Sequence, residues 1–291
     1  MTRLPQIALL PDGKRLHLQD GPIDLIVKAK GDAHEVRAAY EAAARRFNGL
    51  LDELCADLVK LRKGADPHRC TLKGVVARRM HAAVAPFAAD CFITPMAAVA
   101  GGVAEEILGA MLRAAKLDRA YVNNGGDIAL HLAPDERFGI GIVAELAAPA
   151  IAGRAEIAAS DAVRGIATSG QGGRSFSLGI ADAVTVLARR AAEADAAATM
   201  IANAVDLDHP AIQRRPASSL DPDSDLGELP VTVAVGDLSP GEIAAALDLG
   251  AARAMEYGRA GLILAAMLQL RGIRRIVSTD GYSHPQISRD R

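Results

Sequence analysis

Aromatic residues are scarce in this chain of 291 residues: they make up 3%, and tryptophan is absent. Modules that stack on nucleic-acid bases and surfaces that bind carbohydrates both depend on aromatic rings. An excess of basic residues is also missing, because 33 Lys and Arg stand against 35 Asp and Glu. A protein that gains affinity by releasing counterions from a phosphate backbone needs such an excess. The composition therefore argues against a nucleic-acid partner.

Cysteine is rare as well, with three residues at wide spacing in the whole chain. A thiolate zinc site or a disulfide framework is therefore not indicated, and a reducing compartment is favoured. The longest apolar stretch, Ala260–Leu270, is much shorter than the ~18 residues that a membrane helix needs. The apolar run Ile7–Leu10 is too short for the core of a signal peptide. We expect a cytoplasmic protein that has no membrane partner.

Hydrophobic residues, in contrast, make up 50% of the chain, which is enough for a sizeable core. Segments with strand-like and helix-like patterns alternate, without an internal repeat or a break in composition. We therefore expect one α/β or α+β domain over residues 1–291, with one long polar loop at residues 206–230.

Local patterns predict where the main elements lie. Apolar residues three and four apart predict one long helix over residues 33–62. Pro86 is expected to break the next helix. The tail could form a helix and a strand or a hairpin that turns at Arg271-Gly272, and we favour the hairpin. The further helices are predicted at residues 72–84, 96–116, 181–190, 193–205 and 240–258.

Two adjacent glycines, Gly101 and Gly102, fall inside the predicted helix at residues 96–116. Each costs roughly 1 kcal/mol relative to alanine in a helix interior. Either something approaches the backbone closely at this point, or the helix begins after the two glycines.

The first of three polar motifs that could carry chemistry is the segment Asn123–Asp127. It places Gly125 and Gly126 between two apolar strands. Two glycines allow a ligand or a second segment to approach the backbone, while Asn124 offers an amide and Asp127 a carboxylate. The alternative is a plain hairpin turn, for which Asn-Gly is a strong signal.

The second motif is the glycine-rich segment at residues 165–175, which follows a predicted strand. Glycines leave backbone N–H groups free to surround an anion, and Thr168, Ser169 and Arg174 add further donors. The segment matches neither a Walker A sequence nor a Rossmann fingerprint. The alternative is a flexible loop at the surface.

The third motif is the pair Asp195 and Thr199, which lie four residues apart in a helix otherwise made of alanine. At this spacing both side-chain oxygens project from one face of the helix. Such hard oxygen ligands suit Mg²⁺, which takes one or two protein carboxylates and completes its shell from phosphates and water. The alternative is that Asp195 only complements the first helical turn and that Thr199 lies at the surface.

The order of these motifs resembles that of the ApbE superfamily, which contains flavin transferases that move FMN from FAD onto a Thr or Ser of a target protein. Gly125-Gly126-Asp127, Thr168-Ser169-Gly170 and the pair Asp195 and Thr199 follow one another as in that family, within residues 92–205. The chain is similar in particular to compact, stand-alone ApbE-like proteins of uncharacterised activity. The resemblance implies an α+β fold with antiparallel sheets flanked by helices and a cleft between them.

The resemblance also implies a set of site residues. Asp195 and Thr199 would bind Mg²⁺ as cofactor, and the main-chain carbonyl of Ala100 would be the third ligand. FAD would be the substrate or ligand. The residues that would bind this nucleotide are Asn124, Gly125, Gly126, Asp127, Thr168, Ser169, Gly170 and Arg174.

Two departures from the family pattern keep three functions open. Gly101 replaces the family's lysine, and Ser177–Asp182 replaces the His-Ile-Ile-Asp-Pro stretch of the transferases. The protein could be a Mg²⁺-dependent enzyme that transfers FMN to a protein Ser or Thr or cleaves FAD to FMN and AMP. It could also be a non-catalytic accessory protein that binds a flavin or a pterin, or a structural subunit. A nucleotide and a target or partner protein are the expected partners, and Ala-rich helix faces at residues 33–62 and 96–116 could form a homodimer.

Overall fold

The computed structural model describes residues 4–143, 151–173 and 175–279. The chain divides into two compact units. The first unit contains residues 1–138, 158–166 and 189–194, and the second contains residues 139–157, 167–188 and 195–291.

Strands and helices occur in groups along the described residues. The strands are β1 (Gln6–Leu9), β2 (Arg15–Asp20), β3 (Ile23–Lys30), β4 (Arg119–Asn124), β5 (Asp127–Leu132), β6 (Arg137–Val143), β7 (Ile151–Ala158), β8 (Gly165–Ser169), β9 (Ala183–Ala188), β10 (Ile212–Pro216), β11 (Pro230–Val235), β12 (Ala265–Leu270) and β13 (Ile273–Ser278). The helices are α1 (Ala33–Phe47), α2 (Leu50–Leu61), α3 (Val75–Ala88), α4 (Val99–Ala114), α5 (Ala191–Ala204) and α6 (Pro240–Arg259). Short 3₁₀ helices occupy Pro95–Ala98 and Ala217–Ser219.

The sheet of the first unit has the strand order β1-β2-β3-β4-β5-β8, with antiparallel pairing throughout. Alternate residues of β2 and β3, such as Leu18 and Leu25, are fully buried, which is the pattern of a strand with one face on the core. Helix α4 contacts β4, β5, α1 and α3. Its small residues, including Gly101 and Ala104, are buried inside this unit. They are therefore not the exposed dimer face that the sequence suggested.

Two helix predictions in the first unit are wrong in detail. The predicted helix at residues 33–62 is two helices, α1 and α2. Gly49 lies between them in a left-handed conformation with φ 77°, which interrupts the helical backbone. Helix α3 continues past Pro86 to Ala88 instead of stopping before it. Pro86 has no N–H group to donate to the carbonyl four residues before it, so α3 lacks one hydrogen bond there and ends two residues later.

In the second unit the strand order is β8-β9-β12-β13, β10 and β11 form a separate antiparallel pair, and β6 and β7 form a further two-stranded sheet. The helix predicted at residues 181–190 is wrong, since β9 occupies most of it. Val184-Thr185-Val186 are β-branched residues that favour strands, and β9 pairs with β12 along its length. The expected loop at residues 206–230 contains β10 and the second 3₁₀ helix.

Two other predictions in this unit are confirmed. Helix α6 begins at Pro240 with a capping box, in which Ser239 and Glu242 bond to each other's backbone N–H groups. Strands β12 and β13 form the expected hairpin, which turns at Arg271-Gly272. With helices packed on antiparallel sheets in each unit, the α+β fold class is confirmed.

By length and composition, one segment of the described chain could cross a membrane: the 20 residues Pro95–Ala114. Most of this segment is buried inside the protein, and a core helix passes the same test. Because α4 supplies core contacts to the first sheet, the segment is weak evidence for a membrane span.

Asp57 supports the start of α3 from the neighbouring helix α2. Its carboxylate accepts the N–H groups of Lys73 and Gly74 at 2.8 and 2.9 Å. The bond from Gly74 is the largest cause that holds the pKa of Asp57 below its ordinary value; burial opposes this, and the Lys73 bond adds to it.

We expect Asp57→Ala to lower the free energy of unfolding by about 1 kcal/mol at neutral pH, as for the loss of a helix cap. A depressed folded-state pKa gives stability that is present above the ordinary value of about 3.9 and is lost as the pH falls through the folded pKa. Urea unfolding at pH 7 and at pH 3 should therefore show a difference between variant and wild type that shrinks in acid. An equal difference at both pH values would contradict this account.

Candidate functional site

The segment Asn123–Asp127 forms a tight hairpin between β4 and β5. Asn124 and Asp127 lie directly opposite each other, and Gly125 and Gly126 fill the turn with φ 66° and 117°. The Gly126 N–H donates to Asn123 Oδ1 at 2.8 Å. The hairpin interpretation is thus confirmed, and the positive φ angles explain why both positions are glycine. That these residues also bind a nucleotide stays a prediction.

Asn124 ties this hairpin to the first turn of α4. Its side chain is buried, and Nδ2 donates to the carbonyl oxygen of Ala100 at 3.2 Å. The structure therefore brings together two of the predicted site residues within the first unit. A carbonyl oxygen in a helix also accepts the N–H four residues ahead, so the role of Ala100 as a metal ligand stays a prediction.

The double glycine in α4 marks a close approach of two backbones. A Cβ added to Gly101 would lie 2.3 Å from the carbonyl oxygen of Ala191, and α4 already begins at Val99. Of the two alternatives drawn from the sequence, close approach is confirmed. A side chain at this position would have to displace the backbone at Ala191, which disfavours the lysine that the family resemblance implied here.

Thr168, Ser169 and Gly170 lie at the end of β8 in the second unit. The hydroxyl groups of Thr168 and Thr185 are 2.9 Å apart, within hydrogen-bonding distance. Gly170 has φ 148°, and a Cβ there would lie 2.7 Å from the carbonyl oxygen of Asp182. This end of the glycine-rich segment is therefore held against the start of β9. Arg174, predicted to belong to the same segment, lies outside the described residues.

Asp195 and Thr199 lie on α5, and their oxygens share one face of it, as the spacing predicted. Both side chains are half-buried, while Ala196–Ala198 between them are fully buried. Asp195 is the fifth residue of α5, beyond the first turn. A carboxylate that only complements the helix dipole would lie in the first turn, and Asp195 lies beyond it.

Among the described residues, no group of three or more His, Cys, Asp or Glu could hold a metal ion. The expected ligand set is of another kind, because it combines one carboxylate with a hydroxyl and a main-chain carbonyl. Asp195 and Thr199 supply the hard oxygen atoms that Mg²⁺ prefers, so the residues of α5 fit this cation.

The segment that replaces the family's histidine stretch packs against the C-terminal end of α5. The Leu178 N–H donates to Asn203 Oδ1 at 3.0 Å, and the Ile180 N–H donates to the Val205 carbonyl at 2.8 Å. A Cβ on Gly179 would lie 2.1 Å from the carbonyl oxygen of Ala202. These contacts give the segment a structural role in the second unit.

The sequence analysis missed a cluster of buried ion pairs in the first unit. Glu106 accepts Arg46 Nε at 2.7 Å and Arg79 Nη2 at 2.8 Å. Burial raises the pKa of Glu106, but the hydrogen bonds from Arg46 and Arg79 outweigh it, so the pKa lies below its ordinary value. Two adjacent glutamates inside the apolar sequence of α4 were the available signal, since buried carboxylates need partners.

The family model described as AbpE bacteria matches residues 7–276 of this chain. The chain belongs to this family. The expected membership in the ApbE-like superfamily is thereby confirmed.

Archaeal proteins are among the relatives with similar sequences. A UPF0280 protein from Methanopyrus kandleri is 33% identical over 211 residues, which are 71% of this chain and 82% of that protein. A UPF0280 protein from Methanothrix thermoacetophila is 43% identical over 117 residues, which are 40% of this chain and 48% of the relative. This chain therefore matches about half the length of the second relative.

Solved structures of similar extent include the apo form of the flavinyl transferase ApbE from Pseudomonas stutzeri. The two chains share 13% identity with a TM-score of 0.48, and 96% of each is covered. At a score below 0.5 this likeness adds nothing to the family assignment, which rests on the sequence match.

Proposed function

We propose that this ApbE-like protein binds FAD in a Mg²⁺-dependent manner, and either transfers FMN to a protein Ser or Thr or cleaves FAD to FMN and AMP. The observation that supports it most directly is the pair Asp195 and Thr199, two half-buried residues whose spacing places them on one face of α5. The resemblance to the ApbE superfamily implies the nucleotide, and the two oxygens are ligands of the kind that Mg²⁺ prefers.

Each group of residues has a separate task in this proposal. Asp195 and Thr199 would hold Mg²⁺, with the Ala100 carbonyl as a third ligand. The nucleotide would be bound by the glycine-rich backbone and polar side chains at Asn124–Asp127 and Thr168–Gly170. When bound, Mg²⁺ would neutralise charge on the phosphates. Backbone N–H groups would orient the phosphates at fixed positions.

In the transfer reaction, a hydroxyl oxygen of the target forms a bond to the FMN phosphorus. The phosphoanhydride bond breaks, AMP leaves, and the hydroxyl proton is released. In the cleavage reaction, water takes the place of the hydroxyl and FMN and AMP are the products. Both reactions balance without an oxidant or a reductant.

The second candidate is an accessory protein that binds a flavin or a pterin without turnover. The segment Ser177–Ile180 favours it, because it replaces the family's histidine stretch and its backbone is bonded to Asn203 and Val205. A Cβ at Gly101 would meet the Ala191 backbone, which also disfavours the lysine that the family resemblance implied there. In this candidate the proposed binding residues would remain, while the histidine stretch and the lysine would be missing.

The test is a calorimetric titration of FAD into metal-stripped protein, with and without Mg²⁺, followed by chromatography for FMN and AMP. We expect Mg²⁺ to strengthen binding, and Asp195→Ala to weaken the Mg²⁺-dependent binding at least about tenfold. Thr199→Val should act in the same direction, because valine keeps the shape of threonine but lacks its oxygen. Thr199→Ser keeps the hydroxyl and is the matched control.

The outcomes separate the candidates. Mg²⁺-dependent binding with FMN and AMP as products supports the enzyme. Tight binding of unchanged FAD, with no transfer to a protein, supports the accessory protein. If FAD fails to bind under either condition, both proposals for this nucleotide are wrong.

A further inference from the structure

The start of α5 is bonded to a glutamate from α4. Glu105 Oε1 accepts the N–H of Ala192, the second residue of α5, at 2.9 Å. Glu105 Oε2 accepts Arg190 Nη2 at 2.8 Å, one residue before the helix begins. One carboxylate therefore satisfies a backbone donor that has no partner inside the helix and fixes the residue in front of it.

The backbone just before α5 is also in close contact with two glycines, Gly101 of α4 and Gly165 of β8. A Cβ on Gly101 would lie 2.3 Å from the Ala191 carbonyl oxygen, and a Cβ on Gly165 would lie 2.1 Å from the Arg190 carbonyl carbon. The backbone at residues 190–191 therefore lies in direct contact with α4 and β8. It cannot move toward either element without a clash.

Glu105 is itself held in place. Its side chain is 12% exposed, and Oε2 also lies 3.2 Å from Arg79 Nε. The other nitrogens of Arg79 donate to the Gly102 carbonyl at 3.1 Å and to Glu106 at 2.8 Å. The carboxylate that meets α5 is thus largely buried and bonded to two arginines, unlike a freely rotating surface side chain.

We propose that Glu105 is a positioning residue for the metal site, because it fixes the first turn of the helix that carries Asp195 and Thr199. This inference rests on the proposed function of those two residues. Asp195 follows Ala192 by three residues, which is about 4.5 Å along a helix axis. When the first turn frays, the direction of the Asp195 carboxylate is no longer defined, and a Mg²⁺ shell with nearly octahedral geometry tolerates this poorly.

The test compares Glu105→Ala with Glu53→Ala, which is a matched control. Glu53 accepts the N–H of Val75 at the start of α3 at 2.8 Å, and Arg46 at 2.8 Å, so it also joins a helix start to an arginine. Both variants should lower the melting temperature. We expect only Glu105→Ala to raise the Mg²⁺ concentration for half-maximal FAD binding, by about tenfold.

Glu105→Gln provides a rescue, because its amide oxygen can still accept the Ala192 N–H. Its half-maximal Mg²⁺ concentration should lie closer to that of the wild type than to that of Glu105→Ala. An equal rise in the half-maximal Mg²⁺ concentration in Glu105→Ala and Glu53→Ala would overturn the proposal, since it would reflect lost stability alone. An unchanged half-maximal Mg²⁺ concentration in Glu105→Ala would overturn it too.

Amide hydrogen exchange without any ligand tests the positioning step separately. Peptides that contain residues 192–196 should exchange about tenfold faster in Glu105→Ala and at the wild-type rate in Glu53→Ala. If the wild type binds no FAD but this difference is found, the proposed function is wrong and the structural role of Glu105 stands. If exchange in these peptides is unchanged, Glu105 does not position α5, whatever the protein binds.

Discussion

Replacing Gly101 by alanine is expected to lower the free energy of unfolding by about 3 kcal/mol or more, at the upper end of the cost of overpacking. The new methyl group would lie 2.3 Å from the Ala191 carbonyl oxygen and 2.5 Å from its carbon. Both are backbone atoms held by Glu105 and by the helix that follows, so they cannot turn aside as a side chain can. Urea or thermal unfolding measures the loss.

The same helix offers a matched control at Gly109. A Cβ there would meet only Arg113 Nη1, at 3.1 Å, which is the far end of a flexible side chain. Gly109→Ala should leave stability unchanged or raise it by up to about 1 kcal/mol, because alanine is the better helix former. If Gly101→Ala were as stable as Gly109→Ala, the close approach at Ala191 would be wrong.

Gly101→Lys extends the argument to the departure from the family pattern. If packing alone explains the missing lysine, this variant should be at least as unstable as Gly101→Ala. A stable Gly101→Lys protein would show instead that the position can accept the family's charge.

The second large effect is expected for Glu106→Ala. This carboxylate is 6% exposed and pairs with Arg46 and Arg79, which are 22% and 17% exposed. Its removal takes one of two carboxylate partners from each of these largely buried guanidinium groups, since Arg46 keeps Glu53 and Arg79 keeps Glu105. Breaking a buried ion pair in this way costs about 3–5 kcal/mol. Chemical denaturation at neutral pH is the measurement.

An exposed pair in α1 is the control for that variant. Glu41 and Arg45 are 3.8 Å apart, with 60% and 69% of their side chains exposed, and such pairs contribute at most about 0.5 kcal/mol. The pH dependence provides a second check. The folded pKa of Glu106 lies below its ordinary value of about 4.3, so its contribution is complete above that pH and is lost as the pH falls through the folded pKa. A loss in Glu106→Ala no larger than that in Glu41→Ala would contradict the role of this cluster.

The candidate site could be predicted from the sequence only where its residues are neighbours along the chain. The order Gly125-Gly126-Asp127, Thr168-Ser169-Gly170, Asp195 and Thr199 led to the family that the comparison confirmed. The spacing of Asp195 and Thr199 also fixed their common face, because helical periodicity is a local property. In contrast, the hydrogen bond between Asn124 and Ala100 joins residues 24 positions apart, and no local sequence pattern predicts it.

Local chemistry in the sequence determined the extent of α6 and the hairpin at Arg271-Gly272, because helical periodicity and turns depend on residues that are near one another along the chain. Only the tertiary structure decided that residues 183–188 form a strand, since pairing with β12 stabilises it. Only the tertiary structure decided why Gly101 is glycine, and that Glu105 meets α5. Both contacts join residues more than 80 positions apart in the sequence. Steric exclusion and burial decide such contacts, and the periodicity of a local sequence contains no information about them.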